Sequence, residues 1–324
     1  MQTKITTALS AALLSLAILS PLNAQAAVDE IHFLIPGGAG GGWDGTARGT
    51  GEALSKAGIV KTVSYQNMSG GGGGKAIAHL IETADQQQNT LMVNSTPIVV
   101  RSLTKVFPQS FRDLTPIAAT IADYGAFIVR NDSKYTDWSQ IVEDFKKDSR
   151  SVKVAGGSAK GSLDHLIAAA AFKNSGLNAQ DVRYVAYDAG GKAMAGLLSG
   201  ETALLSTGLG EALEMSKAGQ IRILAITAAE RVSDAPDVPT LKEMGNNTVF
   251  ANWRGFFASP SVSKDQASEF ADAINAMYKT EQWEAVRKRN GWVNNYKPLG
   301  DFTVFLEEQE QVIGDLMREL GFLK

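Results

Sequence analysis

Residues Ile31–Arg48 read IHFLIPGGAGGGWDGTAR, and this stretch decides the fold. Ile31, Phe33 and Ile35 alternate with His32 and Leu34, which is the period of a strand. Pro36 removes a ladder donor and ends it. Gly37, Gly38, Gly40, Gly41 and Gly42 then leave a nearly bare backbone whose N–H groups a ligand can reach. Asp44 is a residue type suited to an N-cap, and Ala47, Ala53, Leu54 and Ala57 carry helical spacing over Thr46–Lys56. A strand, a glycine loop and a helix in this order aim free N–H groups and a positive dipole end into the loop. That arrangement is an anion seat.

Outward from this unit the rhythm repeats. Thr62–Asn67 predicts a strand, Ser69–Lys75 (SGGGGGK) a second glycine loop and Ala76–Glu82 a helix. Thr90–Asn94 predicts a third strand, with Ser95 and Thr96 leading to Pro97, a good first helical residue. Phe111–Ile121 leads to a strand at Tyr124–Val129. The alternation then restarts: helix Trp138–Lys147, strand Val152–Ala155, small-residue loop Gly156–Gly161, helix Ser162–Asn174, strand Val182–Ala186, loop Tyr187–Gly191 and a helix through Leu198. Thr202–Leu205, a helix near Leu209–Lys217 and strand Ile221–Ile226 follow, then a short helix at Thr240–Met244 and a returning strand at Phe256–Ala258. The tail reads as helices over Asp265–Tyr278, Glu281–Arg289 and Asp301–Leu320. The alternation implies an α/β fold of two lobes, each a mostly parallel sheet flanked by helices. Residues 27–125 with 255–324 are expected to form one lobe and 126–254 the other, with hinges near Tyr124–Ala126 and Arg254–Phe257. The junctions Gly37–Asp44, Gly156–Asp164 and Asp188–Lys192 each follow a strand's carboxyl end and open a helix, where ligands of open α/β sheets sit.

The first residues belong to export rather than to the fold. Lys4 is a positive n-region, Ala8–Leu19 an apolar run too short to span a bilayer, and Ala24-Gln25-Ala26 a cleavage signature. Residues 1–26 therefore read as a signal peptide, and the mature chain is expected in the periplasm. Without Lys4 it carries 30 basic residues against 34 acidic ones. That balance argues against nucleic acid as a partner but not against a small anion, which feels local dipoles. The chain has no cysteine, so neither disulfides nor a lipid-modified cysteine anchor applies.

The enzymatic alternatives are weaker. Gly40–Gly45 fits G-x-G-x-x-G cheaply within a glycine run, and the second strand ends in Tyr65-Gln66-Asn67 with no acid for a ribose. The second glycine loop departs from a P-loop at Ser69 and Ala76. Lys160 stands where a nucleophile elbow at Ser158 needs glycine. The histidines, His32, His79 and His165, have no metal-site spacing, so no metal or cofactor is expected. Each binding candidate also has a plain role: Asp44 and Asp164 favour helix starts, His165 packs, and Arg254 is solvated.

Several ordered motifs resemble one family over essentially the whole mature chain. PGGAGGGWDGTAR at Pro36–Arg48, SGGGGGKAIAHL at Ser69–Leu80, GGSAKGSLDHL at Gly156–Leu166, YDAGGKAMAGLLSGE at Tyr187–Glu201, AGQIRILAIT at Ala218–Thr227 and PDVPTLKEMG at Pro236–Gly245 are similar to substrate-binding components of tripartite tricarboxylate transporters, the Bug family. DYGAFIVR at Asp123–Arg130, with Tyr124, and NWRGFFASPSVS at Asn252–Ser263, with Arg254, resemble the citrate-type branch. The resemblance implies a type II-like Venus flytrap that closes on a carboxylate, is not an enzyme, and hands its ligand to a membrane permease. It implies contacts from Gly40, Gly41, Trp43 and Asp44 on one wall and from Ser158, Lys160, Ser162, Asp164, Asp188, Gly190 and Gly191 on the other. Ser95 and Thr96 match the family's hydroxyl turn. Asp188 stands where the family commonly has lysine, so it either bonds a ligand hydroxyl or amino group or turns onto backbone amides. The expected ligand is citrate-like; a C4-dicarboxylate or acidic amino acid is the alternative within the class, and an exported nucleotide-binding enzyme the alternative outside it. Service to a sensor kinase is a third role for the same closed form, and a monomer is the expected state.

Overall fold

The computed structural model describes residues 28–324; the signal peptide expected at 1–26 lies outside the described residues. Strand β1 (Val28–Ile35) sends Ile31, Phe33 and Ile35 into one core and Leu34 into another, so both of its faces are covered. Helix α1 (Gly42–Lys56) packs Ala47, Ala53 and Leu54 into the first of these cores. Its N-cap is Gly41, and Asp44 lies inside the first turn, contrary to the cap expected there. The reason is the side chain's reach: Asp44 Oδ2 accepts from Gly40 N at 3.1 Å, and Oδ1 from Arg48 Nε at 2.9 Å and Asn67 Nδ2 at 3.0 Å. Asp44 ties the loop back over the helix start.

Strand β2 (Val60–Asn67), helix α2 (Gly74–Glu82), strand β3 (Thr90–Ser95) and helix α3 (Thr96–Thr104) follow. β1 pairs in parallel with β2 and β3. The chain then enters one long strand, β4 (Thr115–Arg130), where a lead-in and a separate strand were expected. β4 hides its length because its register shifts between Pro116 and Ala118 and again between Ala119 and Ile121, which breaks the two-residue alternation. Its first part joins the first sheet, and Gly125–Arg130 pairs with a second sheet.

That second sheet comprises β5 (Lys153–Gly156), β6 (Arg183–Ala186), β7 (Leu204–Gly208) and β8 (Ile221–Ile226) with the end of β4. Helix α4 (Trp138–Lys147) precedes β5, and α5 (Leu163–Asn174), α6 (Gly190–Leu198) and the short α7 (Leu213–Lys217) link the later strands. The chain returns through β9 (Ala251–Ala258), which runs antiparallel between β3 and β4 in the first sheet. β9 begins earlier than expected because Asn252 and Arg254 read as loop residues, although both are buried. Helices α8 (Lys264–Met277) and α9 (Glu281–Arg289) precede β10 (Val293–Pro298), a polar edge strand that its composition did not reveal. Helix α10 (Leu299–Glu319) closes the chain. The result is a mixed α/β fold of two sheets in which most strands run one way, with parallel runs β2-β1-β3 and β6-β5-β7 and antiparallel pairings through β4 and β9. Each sheet carries a hydrophobic core on each face, Phe127 and Val129 of β4 pointing into one core and Ala126 and Ile128 into its opposite. Among the described residues no helix is long and apolar enough to cross a membrane.

Candidate ligand-binding cleft

A cavity of about 280 Å³ lies at the carboxyl ends of β1, β3, β5, β6 and β7, lined by residues of both sheets. One wall is the glycine loop Gly37–Gly42 with Trp43, whose indole Nε1 donates to Ser95 Oγ at 2.9 Å. The facing wall is Gly157–Ala159 and Ser162–Asp164 together with Tyr187–Gly190. Where the walls meet, the first presents bare glycine backbone to the Asp188 and Ala189 side chains of the second. A Cβ on Gly38 would stand 3.1 Å from Asp188 Oδ2 and 3.3 Å from the Cβ of Ala189, and one on Gly41 3.1 Å from the same Ala189 Cβ. Helices α1 and α6 both begin at this seam, so two positive dipole ends converge on the cavity.

The floor is charged and buried. Arg254 Nη2 donates to Asp123 Oδ2 at 2.9 Å, and Nη1 to Thr46 Oγ1 at 3.1 Å. Glu211 Oε1 stands 4.0 Å from the same Nη2, and Glu211 Oε2 accepts from Thr207 Oγ1 at 3.0 Å. A Cβ on either Gly42 or Gly190 would overlap the Glu211 carboxylate, so this side chain rests between the starts of α1 and α6. Burial pushes Glu211 up to about 7; Arg254 pulls it back, and Asp164 and Asp123 add to the rise. Asp164 is pushed up to about 6, first by burial and against hydrogen bonding from Ser158. Burial raises Asp123 too, opposed by Arg254. Among the described residues no group of three His, Cys, Asp or Glu side chains converges as metal ligands.

Several polar atoms around this space have no hydrogen-bond partner among the described residues: Ser162 Oγ, Asn252 Oδ1, Arg101 Nε and Arg254 Nε. Buried polar groups are nearly always satisfied, so a cluster of orphans around a cavity marks a place where a ligand completes the bonding.

Of the residues singled out from the sequence, the cavity wall contains Gly41, Trp43, Ser95, Tyr124, Ser158, Ser162, Asp164, Asp188, Gly190 and Arg254. The other five stand elsewhere. Gly40 and Gly191 are in the seam, where a Cβ on Gly191 would be 3.5 Å from Gly40 O. Asp44 is occupied by its own loop, Arg48 and Asn67. Thr96 is fully buried in the first turn of α3. Lys160 is exposed and absent from the wall of this cavity; it lines an outer groove beside Arg183 and also a smaller neighbouring space that Arg101 and Ser162 share. Asp188 pairs with Lys192 Nζ at 3.2 Å, rather than with backbone amides, and faces the cavity. Sequence patterns did not single out Asp123, Glu211, Thr207, Asn252 or Arg101. An acid interrupting an apolar strand at Asp123, and another just past a strand's carboxyl end at Glu211, were the available signals.

The chain resembles solved periplasmic proteins. BugD superposes with a TM-score of 0.81 at 20% identity, over 90% of this chain and 98% of its own. MatC of Rhodopseudomonas palustris, solved with bound malate, gives 0.78 at 19% over 89% and 98%. Rpa4515 of R. palustris, solved with adipate, gives 0.81 at 19% over 90% and 97%. At these identities the likeness shows the fold, that of two-lobed periplasmic binding proteins. The family described as the tripartite tricarboxylate transporter family receptor (TctC) matches residues 46–322. A solute-binding fold, a cleft built from two helix starts, and a match over nearly all of the described chain agree: this protein belongs to the tripartite tricarboxylate transporter receptor family.

Proposed function

We propose that the protein is an exported receptor that captures a small dicarboxylate or tricarboxylate between two closing lobes and delivers it to a membrane permease. The observation that carries this reading is the cavity in which a bare glycine wall, a facing wall of hydroxyls and carboxyls, two helix starts and unpaired polar atoms converge. Helix starts favour an anion by about 0.3–1 kcal/mol each at a surface and more in a dry site. A ligand bonded to both walls favours the closed form by its differential affinity for that form. Residues 27–125 with 255–324 and 126–254 are the two lobes of this reading. The change of sheet within β4 supports the outgoing boundary, and the pairing of β9 from Ala251 onward supports a return a few residues ahead of 254.

Charge favours a dicarboxylate over the fully ionised citrate-like ligand expected from the motifs. Arg254, the residue of the motif resembling the citrate-type branch, already holds Asp123 and faces Glu211. The citrate-like reading keeps one support: Glu211 and Asp164, when protonated, are hydrogen-bond donors toward a ligand carboxylate. The malate and adipate bound by the structural neighbours belong to the dicarboxylate class. The test is a thermal-shift and calorimetric screen of the mature protein against malate, succinate, adipate, citrate, glutamate and nucleotides. A ligand present at 100 times its dissociation constant stabilises by about 2.7 kcal/mol, a shift of several degrees. Dicarboxylates leading citrate is the expected result. A response to nucleotides alone, with none to carboxylates, overturns the reading.

A further inference from the structure

Two arginines line the cavity, and their circumstances are opposite. Arg254 is neutralised by Asp123 at 2.9 Å. Arg101, on α3, is 6% exposed, and its Nε has no hydrogen-bond partner among the described residues. Burial alone lowers its pKa, with no neighbouring charge contributing. An isolated buried charge is expensive, and proteins keep one only where something pairs with it. The backbone makes deliberate room for this one. Gly72, in the second glycine loop, has a left-handed φ of 61°, and a Cβ there would overlap the Arg101 guanidinium. Arg101 lines both the main cavity and a smaller space of about 90 Å³ beside it, whose outer side carries the exposed Lys160.

Ser162 lines the same two spaces from the opposite side. It is 2% exposed, is the residue before α5, and its Oγ also has no partner among the described residues. Arg101 follows a strand of the first sheet and Ser162 one of the second. A cation and a hydroxyl, both buried and unpartnered, therefore approach one space from the two halves of the fold.

We propose that Arg101 and Ser162 form a subsite for the second carboxylate of the ligand, beside Gly70 and Gly72, while the first carboxylate sits at the starts of α1 and α6. The proposal rests on the carboxylate-receptor reading above and adds to it that two anionic ends are required. The subsite spans both halves, so the second carboxylate is also a closure contact. Planar guanidinium suits this task, since it meets a carboxylate through two parallel N–H bonds.

The test pairs each dicarboxylate with a monocarboxylate of equal length: succinate with butyrate and adipate with hexanoate, measured by calorimetry on wild type, Arg101→Gln and Arg101→Lys. In wild type a dicarboxylate is expected to outbind its partner by about 10- to 100-fold, the range for one charge-assisted contact. In Arg101→Gln that ratio falls to near one, and Arg101→Lys keeps an intermediate ratio. The unliganded melting temperature of Arg101→Gln is expected to equal or exceed that of wild type, because an unpaired buried charge has gone. A preserved ratio in Arg101→Gln overturns the subsite. A melting temperature several degrees lower assigns Arg101 a structural role and does the same. Should Arg101→Gln fail to fold, an undiminished ratio in Arg101→Lys at lowered stability overturns the subsite equally. Wild type binding none of the four acids, nor malate, citrate or glutamate, refutes the receptor reading itself, whereas binding of the dicarboxylates without discrimination refutes only the subsite.

Discussion

Glu211 places a carboxylate in the same anion seat that the ligand is expected to use, between the starts of α1 and α6. Burial raises its pKa from 4.5 to about 7. A ligand carboxylate arriving beside an ionised Glu211 meets repulsion in a poorly solvated site, so binding should take up a proton there. If only the protonated form binds, the population of that form sets the pH dependence. It is about one part in eleven at pH 8 and nearly complete at pH 6, so affinity for a dicarboxylate should tighten about tenfold between them. Glu211→Gln removes the charge and keeps the shape; its affinity should be flat over this range and about tenfold tighter than wild type at pH 8. Calorimetry at pH 8 in two buffers of different ionisation enthalpy should report close to one proton taken up by wild type and none by Glu211→Gln. The unliganded protein provides a second readout. A carboxyl whose folded pKa is raised contributes stability that is full below its unfolded value of 4.5 and lost as pH rises through 7. Glu211→Gln should therefore be the more stable protein at pH 8, by up to roughly 3 kcal/mol, and the difference should vanish near pH 4. Wild-type affinity that is independent of pH, or that weakens as pH falls from 8 to 6, refutes this account.

Two further substitutions separate closure from folding. Gly38→Val adds methyls where a single Cβ already reaches 3.1 Å from Asp188 and 3.3 Å from Ala189 across the seam. Unliganded stability in urea should stay within about 0.5 kcal/mol of wild type, while dicarboxylate affinity falls about 10- to 100-fold and the ligand-induced compaction seen by small-angle scattering disappears. Arg254→Ala leaves Asp123 buried without its counter-charge and should cost about 3–5 kcal/mol in urea unfolding. Its losses of citrate and dicarboxylate affinity should be similar, because it acts through the floor; a selective loss of citrate would return Arg254 to direct ligand contact.

The parts of the fold legible in the sequence are those whose signal is local. Pro36 after Ile31–Ile35, the glycine run, and the helical spacing from Ala47 to Leu54 lie within one short stretch, and the strand, loop and helix appear there. Trp138–Lys147, Ile221–Ile226 and Glu281–Arg289 are equally self-contained. The illegible elements lack such a signal for definite reasons. β4 is buried on both faces and shifts register three times, so neither alternation nor a clean apolar run marks its length. β9 carries Asn252 and Arg254 toward a cavity, and polar residues in a strand read as loop until the cavity exists. β10 is an edge strand holding Asn294, Asn295 and a terminal Pro298, all depleted in strand interiors.

The cleft walls were legible on the same terms, since glycine loops and helix starts are short-range features. The charges on its floor were not, because whether an arginine is free is a property of its neighbours and not of its own segment. Arg254 drew attention as a cation at the end of an irregular stretch, yet its partner Asp123 lies 131 residues away. Arg101 sits in IVVRSLTK and reads as an ordinary solvated helix charge. Only the packing of α3 against the second glycine loop, and of Ser162 across from it, leaves that side chain buried with its Nε unpaired. The arginine conspicuous in the sequence is thus the one already neutralised, and the inconspicuous one retains its full demand for an anion. For a binding protein that demand decides the ligand: a neutralised Arg254 returns little to an incoming carboxylate, whereas Arg101, whose desolvation is already incurred in the unliganded fold, gains the ion pair.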